Sequence, residues 1–248
     1  MNGAAHRATP GDLAALERVA GLARPVTLAR EQTMPVLDAL VPLLPDVGLR
    51  RGQVVALAGP ASTSLAFALA AAPSAAGAWV GAVGLPALGL LAAAEMGVAL
   101  ERLVLVAAPS GPDPSAWATV AATLVDAMDV VLLASPRTAR GSRLGDARRL
   151  QARVRERGAV VVHLGPPGAF EPDLTLTVTR TSWHGLQRGS GHLRARQVVV
   201  TASGRRAAAR PRSAALWLPD EHGHIRAEEA VSPVVALPVV ALRPSAVG

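Results

Sequence analysis

Between residues 53 and 164 the chain alternates short apolar runs with helix-compatible segments, and this rhythm restricts the fold more than any other feature. The runs Gln53 to Ala58, Ala78 to Val83, Leu103 to Ala107, Asp129 to Ala134 and Gly158 to Leu164 are rich in Val, Leu and Ala and are set off by Gly, Pro or polar residues. Apolar runs of this length read as buried strands. Between them lie Ser64 to Ala72, Leu88 to Met96 closed by Gly97, a segment opened by Pro114 and Ser115 with Trp117, Val120, Leu124 and Met128 at core-facing spacing, and Arg143 to Arg157. These read as helices. Strands separated by helices of this size specify βαβ units and a mainly parallel sheet.

After Gly165-Pro166-Pro167-Gly168 the rhythm changes to strand after strand, over Leu174 to Arg180, Gln197 to Ala202 and Ala214 to Leu218. These are expected to extend the sheet in antiparallel fashion. Upstream, Thr9 as N-cap and Pro10 at the first helical position predict a helix over 10–23, and a second helical piece is expected around Val36 to Leu44. The tail from Val231 is apolar but punctuated by Pro233, Pro238 and Pro244, so it suits neither a helix nor a central strand. The expected organisation is a helical segment over 1–47, an α/β core over 48–218 and a Pro-punctuated tail over 219–248.

The chain has no Cys, which excludes disulfides, thiol nucleophiles and Cys-ligated metals. All 25 basic residues are Arg, so no Lys is present to form a Schiff base or to reach a phosphate. The Arg are clustered: residues 137–157 carry a net charge of +6 and residues 180–212, with eight Arg and no acid, carry +8, over a formal total of +7. Such regional excess points to a polyanion or an acidic protein partner, with solvated surface as the alternative. On the helix ending at Arg157, Leu144, Ala147, Leu150 and Val154 make a buried face, while Arg149, Arg153 and Arg157 repeat along an exposed stripe. In the second region Arg180, Arg188, Arg194, Arg196, Arg205 and Arg206 accompany Trp183, His184 and a Gly-rich turn, a composition suited to phosphate contact but too poor in aromatics for base readout. No secretory signal is visible, and the Ala-rich run from Leu65 to Ala76 is interrupted by Pro73 before the roughly 20 residues of a membrane span. No membrane contact and a cytoplasmic location are expected.

The loop Gly59-Pro60-Ala61-Ser62-Thr63-Ser64-Leu65-Ala66 joins a strand to a helix, as a phosphate-binding P-loop does. A working P-loop needs G-x-x-x-x-G-K-[ST], in which Lys reaches the β and γ oxygens and the hydroxyl ligates magnesium. Here Ser64, Leu65 and Ala66 stand at the second Gly, the Lys and the hydroxyl position. A structural turn capping the helix is the preferred reading, and weak phosphate binding by loop backbone is the alternative. Ser62, Thr63 and Ser64 carry no G-x-S-x-G signature of a hydrolase nucleophile. His222 and His224 are too few for a metal site without a third ligand.

Residues 48–135 resemble the ATPase core of the RecA recombinase family, through GLRRGQVVALAGP, LLAAAEMGVALERLVLV and DVVLLAS in the family's order and spacing, and more weakly as far as residue 218. The resemblance implies a RecA-like three-layer core. Carried over position by position, the family's Walker B Asp falls at Ala134, its water-activating Glu near Leu85 and its γ-phosphate-sensing Gln at Gly165. Losing all of these with the Lys and the hydroxyl removes several kcal/mol of transition-state stabilisation per group, so no ATP hydrolysis and no cofactor are expected.

Within that group the Lys-free, Arg-rich, catalytically silent chain is similar to the ImuA-type proteins, specifically the ImuA-prime form. What this implies is an accessory factor of SOS mutagenesis, acting in translesion DNA synthesis with an inactive Y-family polymerase homologue (ImuB-like) and an error-prone C-family polymerase, with RecA and DNA as further candidate partners. Residues 10–45 and the tail residues Val234, Val235, Leu237, Val239, Val240 and Leu242 are candidate partner surfaces, the tail alternatively folding back on its own core. A SulA-like division inhibitor and a single-stranded DNA binder are the competing readings.

Overall fold

The computed structural model describes residues 32–85, 88–109, 114–134, 144–165, 170–187, 190–205 and 208–228. The helix expected over 10–23 and the tail residues Val234 to Leu242 lie outside them.

Nine strands form one sheet. In chain order these are β3 (Val54–Ala58), β4 (Val80–Val83), β5 (Leu103–Val106), β6 (Val130–Ala134), β7 (Val160–Leu164), β8 (Leu174–Gln187), β9 (Ser190–Gly204), β10 (Arg212–Trp217) and β11 (Arg226–Ala227). They lie side by side in the order β11-β10-β9-β8-β3-β7-β6-β4-β5. From β5 through β3 to β8 every pair is parallel, while β8–β9, β9–β10 and β10–β11 are antiparallel. The first strand after the loop-and-proline break, β8, therefore joins the sheet parallel to β3, and only the strands after it run antiparallel. A separate two-residue pair joins β1 (Thr33–Met34) to β2 (Leu49–Arg50).

Every residue of β4 and β7 is buried, as expected of parallel strands covered on both faces. One face carries α1 (Ser62–Ala75) and α2 (Leu90–Glu95); the other carries α3 (Pro114–Ala127) and α4 (Leu144–Arg157). Leu65 to Ala71 of α1 are all buried, so this helix is packed on every side. That packing explains why Pro73, expected to interrupt the run, sits inside the last turn of α1: tertiary burial outweighs the one backbone bond that Pro removes. No helix among the described residues is long and apolar enough to cross a membrane.

The helical piece expected around Val36 to Leu44 is a 3-10 helix over Asp38–Leu43, with Pro42 inside it. Leu40, Leu43 and Leu44 are buried in the same core cluster as α1, and β1 pairs with β2, so the described residues before 48 are continuous with the core. The sheet likewise continues past residue 218 into β11.

β8 and β9 are the longest strands. β8 pairs with β3 only as far as Ala58↔Thr177, yet stays paired with β9 to Gln187↔Ser190. β10 still flanks β9 as far as the Trp217↔Gln197 pair, and only beyond it does the hairpin leave the sheet as a two-stranded arm, with register shifts after Val178 and after His184.

Candidate functional site

In open α/β sheets ligands bind beyond the carboxyl ends of the parallel strands. The positions that the RecA resemblance marks all collect at that end. The loop Gly59–Ser64 follows β3, Leu85 follows β4, Ala134 is the last residue of β6, and Gly165 follows β7. Ala134 pairs with Leu164 of β7, and a Cβ on Gly84 would stand 2.7 Å from the Ala134 carbonyl oxygen, so the ends of β4, β6 and β7 are in close contact.

Most of the marked positions are apolar. Leu65 and Ala66, at the Lys and hydroxyl positions, are 0% exposed and packed in the core with Val130, Leu132 and Val162. Ala61, Leu85 and Ala134 pack partly buried against the same cluster. The loop is held by its own bonds: Ser62 Oγ donates to the Gly59 carbonyl at 2.7 Å and the Leu65 N–H to the Ala61 carbonyl at 3.0 Å. Gly59 has a φ of 87°, and any Cβ there would collide with the Val178 carbonyl oxygen of β8. Close packing of the turn on β8 accounts for the Gly without reference to a ligand.

Two side chains at this end make contacts that the sequence did not signal, and one of them, Arg196, is held inside the fold where the sequence suggested an open phosphate contact. The Arg196 guanidinium, from β9, donates to Ser64 Oγ at 2.5 Å through Nη2 and to the Leu218 carbonyl at 2.8 Å through Nε. It stacks on Trp183, 4.8 Å from the ring centroid, and burial lowers its pKa from the ordinary arginine value. The second is His163 of β7, 3% exposed, with its ring 5.1 Å from that of Phe170; burial pushes its pKa down and favours the neutral imidazole.

The Arg residues singled out in the sequence divide into bound and free. Arg153 and Arg157 of the α4 stripe are not open: Arg153 grips Asp126 of α3 through two 2.6 Å bonds and Arg157 adds a third at 3.0 Å. The hydrogen bond from Arg153 is the main reason that the Asp126 carboxyl lies below the usual carboxylate range. Arg149 stays exposed, 3.8 Å from Asp146. Arg205 pairs with Glu171 at 2.9 Å. Arg180 and Arg194 are exposed on the arm and pair with no carboxylate among the described residues. Arg188 and Arg206 lie outside the described residues.

His222 and His224 occupy a turn organised by Asp220, whose Oδ1 accepts both of their backbone N–H groups at 2.9 Å. No group of metal-binding side chains forms among the described residues.

Residues 42–168 match the family model described as the MT3502 N-terminal domain. The chain is also similar to the uncharacterized protein Rv3395c of Mycobacterium tuberculosis, at 40% identity over 147 residues, covering 59% of this chain and 60% of that relative. Each similarity covers only part of this chain, the matched stretch spans 60% of the relative's length, and the family match takes in the parallel strands through β7.

Proposed function

We propose, for a chain that belongs to the family of the MT3502 N-terminal domain, that it is a catalytically silent RecA-like accessory protein of the SOS-induced translesion synthesis machinery, acting by binding. The observation that carries this reading is the state of the loop-bearing end of the sheet. The positions where a RecA-type ATPase keeps its phosphate, magnesium and water contacts converge in space, yet Leu65 and Ala66 are buried in the core and Ala134 is apolar. Ser64 is engaged by Arg196 instead. Phosphoryl transfer depends almost wholly on charge placed around the phosphates, and the residues at the family's Lys, hydroxyl and Walker B positions, Leu65, Ala66 and Ala134, carry none.

The sheet order supports the RecA-like part of the reading. β3, which carries the loop, lies inside the sheet between β7 and β8, with helices on both faces and the antiparallel strands continuing from β8. The partner class rests on the sequence resemblance to ImuA-type proteins: an inactive Y-family polymerase homologue and an error-prone C-family polymerase. A protein without a reaction to perform contributes through its surfaces, and Arg149, Arg180 and Arg194 are among the exposed cations that offer one.

The test is co-purification of the tagged full chain from DNA-damaged cells. Recovery of the polymerase-related subunits is expected, and recovery of a division GTPase in their place would overturn the reading.

A further inference from the structure

The outer part of the β8–β9 hairpin, past Ser182 and Gln197, adds no residue to the buried core cluster. The hairpin's last contact with β3 is at Thr177, and β10 flanks it only as far as the Trp217↔Gln197 pair. Backbone bonds of Arg196 with Leu218 and Pro219 extend that cover as far as Trp183, so only His184 to Gln187 and Ser190 to Ala195 stand as two strands alone, projecting by roughly 13 Å at about 3.3 Å per residue. Thr179 to Leu186 on one strand and Ser190 to Arg194 on the other are all exposed. These side chains bury little apolar area against the rest of the protein, which leaves them available to a partner.

Its chemistry is one-sided. No carboxylate occurs in the sequence between Asp173 and Asp220. Arg180 near the base and Arg194 farther out are exposed and without an acidic partner among the described residues, while Leu186 at 64% and Leu193 at 49% exposure lie towards the tip. Gly185, with a φ of 108°, lets the Arg194 stem cross the opposite strand, where a Cβ would stand 3.1 Å from Arg194 Cγ. At the base, Trp183 stacked under Arg196 and His184 packed 5.0 Å from Trp217 stiffen the ribbon on its two faces.

We propose that this arm is a DNA-binding element that lies in a groove of duplex DNA, with Arg180 and Arg194 at the phosphates and Leu186 and Leu193 against the base edges. A two-stranded ribbon matches the roughly 12 Å width of the major groove, where exposed apolar side chains meet the thymine methyl groups. An apolar tip alone would equally suit a protein partner; the absence of any acid along the arm selects a polyanion. The inference rests on the binding reading above only in that the chain acts by binding, and it stands or falls without the polymerase partners.

The experiment is fluorescence anisotropy of the purified full-length protein with a labelled duplex of about 30 base pairs and with one of its single strands, across a salt series. The duplex is expected to bind more tightly than the single strand. Arg180→Ala with Arg194→Ala is expected to weaken duplex binding about tenfold and to make the slope of log K against log salt shallower by roughly 2. Leu186→Ala with Leu193→Ala is expected to weaken binding while leaving that slope unchanged. Unaltered thermal unfolding of both variants shows that the fold is kept, since all four side chains are exposed. Absence of duplex binding by the parent protein, tighter binding to the single strand, or duplex affinity unchanged in both variants would overturn the proposal. So would loss of an acidic protein partner in the variants with DNA affinity intact.

Discussion

The Nη2 of Arg196 and the Oγ of Ser64 lie 2.5 Å apart although 132 residues separate them in the chain, tying the antiparallel part of the sheet to the first turn of α1. Arg196 also binds the Leu218 carbonyl and stacks on Trp183, so a single side chain joins β9, the segment after β10, the arm and the loop. Replacing it with Ala leaves the Leu218 carbonyl without this donor and is expected to cost about 1.5–3 kcal/mol, the usual range for a hydrogen bond to a charged group. Urea unfolding of Arg196→Ala and Arg196→Lys measures this. The Lys variant should recover only part of the loss, because an ammonium cannot make the planar, two-point contact.

Leu65 separates a structural turn from a damaged phosphate site. Leu65→Ala is expected to lose about 2–5 kcal/mol, as for other fully buried leucines. Leu65→Lys, which restores the residue type of a working P-loop, should lose more, because its ammonium has no buried partner. A Lys variant as stable as the parent would mean that the loop has room for a cation facing solvent.

Much of the fold was legible in the sequence. β3, β4, β5, β6 and β7 were visible as short Val- and Leu-rich runs, and α1, α3 and α4 as the segments between them, because burial on both faces of a parallel sheet writes itself into composition. The arm was not. Residues 181–187 and 190–196 show neither alternation nor an apolar run, since cross-strand pairing rather than burial makes them strands, and the expected ends at Arg180 and Gln197 stopped where the core does. Ala134, Leu85 and Gly165 could be placed at one end of the sheet from the order of elements alone. The contacts of Arg196 with Ser64 and of Arg153 with Asp126 could not, because each joins residues distant in sequence with no pattern linking them.

The grip of Arg153 and Arg157 on Asp126 fastens α4 to α3 at the surface. Asp126→Asn is expected to lower stability slightly at low ionic strength and not at about 1 M salt, where the screening length falls to ~3 Å. Thermal melts of parent and variant in the two buffers should differ in the first and converge in the second. The same substitution frees both guanidinium groups, and so it should strengthen binding of any acidic ligand that uses α4.

Asp220 and His163 make the fold sensitive to acid by opposite chemistry. Burial raises the Asp220 carboxyl, but the backbone N–H groups of His222 and His224 and the Arg226 side chain outweigh it and hold the group below the ordinary carboxylate range. His163 is held below the ordinary histidine value by burial. In both, the folded state binds fewer protons than the unfolded chain, so the stability they contribute is full at neutral pH and is lost on acidification. The His163 contribution falls away first, below about pH 6.5, and that of Asp220 below about pH 4. Unfolding free energies of the parent and of His163→Gln between pH 7.5 and roughly pH 5 should converge as pH falls, whatever the variant costs at neutral pH. Curves that stay parallel would remove His163 from the explanation.

The most direct measurement is thermal unfolding of the purified full chain with and without millimolar ATP and magnesium. A nucleotide site filled at a hundredfold excess over its Kd would add about 2.7 kcal/mol and raise the melting temperature by roughly 5–10 °C. With Leu65 and Ala66 buried and Ser64 engaged by Arg196, no shift is predicted. A rise of several degrees that depends on magnesium would contradict a chain that acts by binding macromolecules alone.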